Sequence, residues 1–592
     1  MTPSISYHIV AAQPATHLFA VTLSVDKPAA NGQVLRLPAW IPGSYMIRDF
    51  ARHIVALSAH SGGRALSVTK LDKHSWQVEP CAGPLVLSYQ VYAFDLSVRG
   101  AYLDPERGFF NASSLCLAVV GQESQPHRLE VAVPDRVSGS WKLASALPAL
   151  GIDQAGFGCY LADSYDALID HPFEMGCFEE VCFTACGVPH RFIVSGRHHH
   201  ADLARLARDT QRICEYQIRL FGAAAPFAGY LFMLFVGGDV YGGLEHRNST
   251  ALMAGRDDLP LQGDDSLSDG YVQLLGLISH EYFHSWNVKR IKPAAFTPYD
   301  LTQENHTRLL WAFEGVTSYY DDLTLVRCGL IDKKRYLGLL AKTVTAVARG
   351  SGRLKQTLEE SSFDAWTKFY RQDENSPNAI VSYYAKGALA ALALDLLIRR
   401  DTAGRCSLDD VMRALWSRHQ QDGQGVGETE WETLASEVSA LDLKPFFDLA
   451  LRSCAELPLA ELLAGVGVAF MLTPSDSASD RGGVVEMMPC PSLRAVLGVK
   501  SVSDPLGVRL QQVWDGGAAQ AAGLSSGDVV LALDGVKVGD LDKTLSRYRP
   551  GDKVSIHAFR RDELMEFEIA LQGGVADTCR LLLQNDGGSW LE

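Results

Sequence analysis

The spacing of apolar residues changes twice along the chain. From residue 1 to about 175, apolar and polar positions alternate in short segments broken by Gly, Pro and Asn, as in HLFAVTLSV (17–25), GPLVLSYQVYAF (83–94) and HRLEVAVP (127–134). A period of two puts one set of side chains on each face of a strand, so this region reads as an antiparallel β-sandwich. EEVCFTAC and RFIVSG predict two further strands. From about 201 the period becomes helical, with Leu203, Leu206, Ile213 and Ile218 on one face. Helices are predicted over 268–290, 306–328, 332–349, 384–400 and 407–419. Near 470 strand spacing returns. Residues 500–575, containing LGVRLQQVWDGGAAQAAGLSSGDVVLALDGVKV, predict a small separate β-rich domain. At 592 residues the chain is too long for one hydrophobic core.

Composition narrows the function classes. The apolar fraction of 47% and charged fraction of 21% match an ordinary globular protein. A net charge of −15 with no basic patch argues against nucleic acid as a partner. No stretch approaches the roughly 20 apolar residues needed for a membrane span. The first residues, MTPSISYHIVAAQPATHLFAV, carry no basic region before an apolar run, so no signal peptide is expected. The twelve cysteines include no CxxC pair and are expected to be buried, reduced thiols in a cytoplasmic protein.

One stretch carries chemistry. GLISHEYFHSWNVKR (276–290) holds His280 and His284 four residues apart. That spacing puts both imidazoles on one helix face, able to bind one ion. Glu281 follows the first histidine, where its carboxylate can reach a metal-bound water and act as general base. Apolar neighbours predict a buried helix, in which an uncompensated glutamate is costly. Catalytic zinc keeps three protein ligands and one open position. The third is sought on TRLLWAFEGVTSYYDDL (307–323), where Glu314 is favoured over Glu304 and His306 of the looped QENHT. Asp321, further along that helix, is either an outer partner of a ligating histidine or a solvated acid. His198, His199 and His200 cannot share a helix face and read as a surface loop.

HEYFHSWN followed by WAFEG resembles the zinc aminopeptidases of the gluzincin clan, related to aminopeptidase N. GGLEH (242–246) resembles that clan's exopeptidase motif. YAKG (384–387) resembles the segment whose tyrosine stabilises the tetrahedral intermediate. The chain is more similar still to the glycyl aminopeptidase family, which combines GGLEH, HEYFHxWNVKRI, EGxTxYY and a C-terminal PDZ domain. LPAWIPGSYMIRDF (37–50) looks like that family too. His246 and Phe313 depart from the aminopeptidase N pattern, which has Asn at both places.

The resemblance implies a multidomain α+β protein. It has an N-terminal β-sandwich (1–175), a thermolysin-like zinc catalytic domain (176–330), a helical domain completing the active site (331–465) and a C-terminal β-rich region (466–592) with a PDZ domain at about 495–575. It implies one Zn2+ per chain on His280, His284 and Glu314. Glu281 is the general base, and Glu245 anchors the free amine of a peptide substrate beside Gly242 and Gly243. Tyr384 is the oxyanion donor; spacing alone leaves Tyr383 as its competitor. Gly and Ala are the N-terminal residues it implies. The backbone of Leu506, Gly507 and Val508 is expected to hold a peptide C-terminus, the peptide adding as a strand beside it. A PDZ-based scaffold with a vestigial peptidase and a zinc endopeptidase are the competing readings. Nothing in the sequence accounts physically for Asn287 and Lys289.

Overall fold

The computed structural model describes residues 3–134, 140–222, 224–489, 494–585 and 588–592. The chain divides into two compact units, Met1–Asn305 with Gly423–Gly425, and His306–Asp422 with Val426–Glu592. The division falls inside the 176–330 span read from sequence as one domain, leaving His280 and His284 in the first unit and Glu314 in the second.

The first unit begins with strands whose alternation is realised side chain by side chain. In Leu18–Val25, Phe19, Val21, Leu23 and Val25 are buried and the residues between them are partly exposed. These strands form an eight-stranded sheet and two four-stranded sheets around one core. The large sheet is antiparallel except where Ile5–Gln13 runs parallel to His127–Val131. A five-stranded sheet follows. Val188–Ser195, Tyr230–Gly237 and Ser249–Gly255 are parallel, and Phe178–Ala185 and Gly242–Glu245 form antiparallel edges. Tyr230–Gly237 is buried on both faces, as a central parallel strand must be. Leu244 on the edge strand joins the core of the N-terminal sheets, so the two layers are continuous. Helix Leu203–Leu220, capped by Asp202, packs beside helix Asp269–Phe283, and Gln217 Nε2 donates to Ser279 O at 2.9 Å.

The second unit is helical up to about residue 465. Val468–Thr473 then pairs with Thr578–Leu583, far along the chain, and Gly483–Val484 flanks the latter. Between these strands lies the PDZ-type sheet, ordered Val499–Asp504, Gly507–Val513, Val529–Leu533, Lys553–Arg560, Glu563–Ala570. This order corrects the expected carboxylate loop. Leu506 lies in a hairpin turn, and the strand starting at Gly507 is paired on one side with Val499–Asp504 and on the other with Val529–Leu533. No peptide strand can add beside Leu506, Gly507 and Val508, because the neighbouring place is filled by the chain itself. Among the described residues the edge strands of this sheet are Val499–Asp504 and Glu563–Ala570.

Among the described residues no helix is long and apolar enough to cross a membrane. The described cysteines are free thiols, and Cys177, Cys182 and Cys186 are exposed rather than buried as expected.

Candidate metal and substrate site

In the first unit the site is built on the helix Asp269–Phe283, started by Ser268, whose Oγ accepts from Tyr271 N–H at 3.0 Å. The helix ends sooner than the predicted residue 290, and His284 is its C-cap. The Nε2 atoms of His280 and His284 lie 3.1 Å apart. Two ligands about 2.0–2.1 Å from one tetrahedral zinc would be about 3.3 Å apart, so the pair fits a shared ion. His284 Nδ1 lies 2.7 Å from the carbonyl oxygen of Asn287. Donation there fixes the tautomer and leaves the Nε2 lone pair for a metal. Asn287 is thus placed for its backbone, which explains why side-chain spacing could not reveal its use. Just beyond it, Val288 holds φ 138, a strained value for a β-branched residue.

Three groups converge beside the helix. Ligating atoms of Glu245, Glu281 and His284 lie within 4.8 Å of one another, and all three residues are buried. Glu245 Oε1 makes no hydrogen bond among the described residues. Two carboxylates held this close away from water call for cationic partners, which a divalent metal and a substrate ammonium both supply. Two glycines permit the approach. A Cβ at Gly243 would lie 1.9 Å from Glu281 Oε1, and one at Gly43 would lie 2.5 Å from both oxygens of Glu245. Gly43 belongs to LPAWIPGSYMIRDF. Reading the sequence missed its place at the site; the Pro-Gly turn was the available signal.

Lys289 and His246 meet on a residue the sequence reading also missed. Lys289 Nζ lies 2.8 Å from Asp170 Oδ1, and His246 Nδ1 lies 3.7 Å from the same oxygen. Asp170 Oδ2 accepts the backbone N–H of Arg247 at 3.0 Å. Burial alone would raise the Asp170 carboxyl, but the Lys289 and Arg247 cations hold it well below the usual carboxylate range. Burial lowers His246, an effect Asp170 partly opposes, so the ring is neutral near pH 7. This knot ties the end of the edge strand and the exit of the histidine helix to one acid, the C-cap of the short helix Tyr165–Ile169.

In the second unit Glu314 is buried in a five-residue π turn, Trp311–Gly315, in which Val316 N–H donates to Trp311 O. Such turns are uncommon and collect at functional sites. A Cβ at Gly315 would lie 2.6 Å from Gly387 Cα and 2.8 Å from Tyr383 O, so WAFEG and YAKG pack backbone to backbone. Tyr384 precedes helix Ala385–Asp401 and is half-buried, its Oη 3.3 Å from Tyr370 Oη. Tyr383 is fully buried; burial first, then Tyr370 and Glu314, push its hydroxyl far above its ordinary range. Of the rival ligands, Glu304 is in a loop, and exposed His306 has Nδ1 2.9 Å from Phe363 O. Asp321 Oδ1 accepts the N–H of Asp322. His198 turns its Nδ1 to Gly196 O at 2.7 Å.

Three family models match: the Peptidase M61 N-terminal domain over residues 6–177, M61 glycyl aminopeptidase over 273–390, and the PDZ domain over 495–571. A search of curated proteins gives no match. Among solved structures, an aminopeptidase N family protein from Idiomarina loihiensis is 43% identical with a TM-score of 0.95, covering 99% of this chain and all of that one. An M1 zinc metallopeptidase from Deinococcus radiodurans is 16% identical with a TM-score of 0.46, covering 77% of this chain and 94% of that one.

Proposed function

The chain belongs to the M61 glycyl aminopeptidase family, and from that premise we propose that it removes small N-terminal residues, Gly and Ala, from peptides, with Glu281 as general base. The observation that carries this reading is the convergence of Glu245, Glu281 and His284 beside the Gly242–Glu245 strand. One zinc ion per chain, held by His280, His284 and Glu314, supplies the Lewis acid that makes water acidic enough to be used near neutral pH. Glu245 pairs with the substrate ammonium in a charge-assisted contact. The Gly43 turn, pressed against that carboxylate, leaves little room beside the amine and supports a small first residue. Glu281 takes the proton of the attacking water and hands it to the leaving amine. Tyr384 donates its O–H to the oxygen that gains charge; its half-buried hydroxyl supports it over the enclosed Tyr383.

The test pairs metal quantification with hydrolysis of Gly- and Ala-arylamides, with and without chelator. Bound zinc, chelator-sensitive turnover and no cleavage of N-acetylated peptides are expected. Equal cleavage of acetylated and free peptides would overturn the exopeptidase reading. Glu281→Gln is expected to keep zinc and lose roughly 10²–10⁴-fold in kcat. Wild-type turnover in that variant would remove Glu281 from its role.

A further inference from the structure

A cavity of about 210 Å³ lies beside the edge strand, lined by Leu96, Val98, Arg99, Tyr241, Gly242 and Met253, with exposed Asp239 at its rim. We infer that Arg99 binds the C-terminal carboxylate of short peptides, making di- and tripeptides the preferred substrates. The inference rests on the aminopeptidase reading, because it takes Glu245 as the amine anchor.

The argument starts from the hydrogen-bond parity of the edge strand. His246 N–H donates to Ser249 O, so His246 and Ser249 form a hydrogen-bonded pair, and so by alternation do Leu244 with Ala251 and Gly242 with Met253. The backbone groups of Gly243 and Glu245 therefore point to the open side, where an added peptide would pair. Arg99 stands on that line. Its Nη2 donates to Gly243 O at 3.3 Å, and Nη1 lies 3.5 Å from where a Gly242 Cβ would be. Its Nε is buried without a hydrogen-bond partner, and among the described residues no carboxylate pairs with the guanidinium. Nη2 fixes the group in place while the remaining N–H donors stay available for a planar, two-oxygen acceptor.

The direction of the chain follows. Beyond Glu245 the way is closed by buried His246 and by the turn at Gly43. A peptide with its amine on Glu245 must run toward Gly242, where the cavity opens. Glu245 and Gly243 are two residue steps apart on the strand, about 7 Å at roughly 3.4 Å per residue, so the second or third residue of an extended peptide reaches Arg99. A carboxylate there meets the Nη edge of the guanidinium, which lies along Gly242 and Gly243; a longer chain would have to carry its peptide bonds past a cation that already holds the Gly243 acceptor.

The experiment compares Ala-Ala-Ala with its C-terminal amide on the zinc-loaded wild type, alongside Ala-arylamide. The free acid is expected to have the higher kcat/KM by roughly 10–100-fold, the range of a charged hydrogen-bonded contact. In Arg99→Ala the acid-to-amide ratio falls to near one, and in Arg99→Lys it is intermediate. If Arg99→Ala does not fold, the wild-type ratio still decides. Equal wild-type rates on acid and amide, with arylamide cleaved, would overturn the carboxylate anchor and leave the aminopeptidase standing. If no arylamide is cleaved, the aminopeptidase reading fails, and calorimetric titration of Glu281→Gln with the same two peptides decides the anchor: equal affinities overturn it.

Discussion

Gly43 holds φ +96, and a Cβ there would lie 2.5 Å from both oxygens of Glu245. Gly43→Ala must strain the backbone and push the carboxylate aside. The expected result is a rise of about tenfold or more in KM for Ala-arylamide, with zinc content unchanged; steady-state kinetics with metal analysis check it, and an unaltered KM would show that the turn does not shape the amine site. Asp170→Asn acts differently, by leaving Lys289 buried without its anion. Breaking one side of a buried pair costs about 3–5 kcal/mol, so the urea midpoint should fall markedly. A midpoint within error of the wild type would mean that the Lys289–Asp170 pair does not support the fold. Together these residues show what single-residue reading can reach. That His280 and His284 face one another with Glu281 beside them was legible, because residues one helical turn apart share a face. Asn287 works through a backbone carbonyl, and Asp170 and Gly43 come from distant parts of the chain, so no local pattern marks them.

The histidine helix is held to the sheet by His190 on strand Val188–Ser195, whose Nε2 lies 2.8 Å from Tyr282 Oη and whose Nδ1 lies 2.9 Å from Val188 O. A neutral ring satisfies that pattern, with Nδ1–H donating to the carbonyl and the tyrosine donating to Nε2. Burial lowers His190 to about 4, with only partial opposition from the Val188 contact. The unfolded chain protonates this histidine below about 6.5, while the folded one resists until about 4. Stability should therefore fall as pH drops through that window, by roughly 3 kcal/mol at its lower end. Melting temperatures from pH 7 to 4 for the wild type and His190→Gln test this: the variant should lose less per pH unit, and parallel curves would assign the acid sensitivity elsewhere. Element boundaries were less legible than element types. The apolar run through SWNV extends the helical period to 290, yet the chain leaves the helix after Phe283 so that Asn287 can face His284. The π turn at Glu314 is likewise invisible in the period; it lies where Gly315 packs against the backbone of Gly387.

The PDZ-type region reads in sequence as a detachable C-terminal module, and its connections argue otherwise. The chain enters it after Val468–Thr473 and returns as Thr578–Leu583, the middle strand of the three-stranded sheet, with Cys579 N–H donating to Thr345 Oγ1 at 2.9 Å on helix Lys333–Arg349. Further on, buried Trp590 donates Nε1–H to Tyr319 Oη at 2.9 Å, and its carbonyl accepts from Arg327 at 2.9 Å. Tyr319 and Arg327 lie on helix Val316–Arg327, which continues the π turn of Glu314. Cutting the chain at about 490 would thus remove a central strand and a large core side chain, and with them the support of the Glu314 helix. Excision from within is milder. Val496 pairs with Gln572 and Ala495 with Gly573, so an Asn-Gly turn can join 496 to 572 and keep the later strand and Trp590. The excision also gives up the contacts of Asn378 with Val513 at 2.8 Å and of Ser351 with Asp515 at 3.0 Å, which are partly exposed and individually modest. The truncated chain is expected to lose soluble expression or melt well below the wild type, and the excised chain to melt cooperatively close to it. Matching melting curves for the truncated chain and the wild type would show that the returning strand and Trp590 do not support the helical unit.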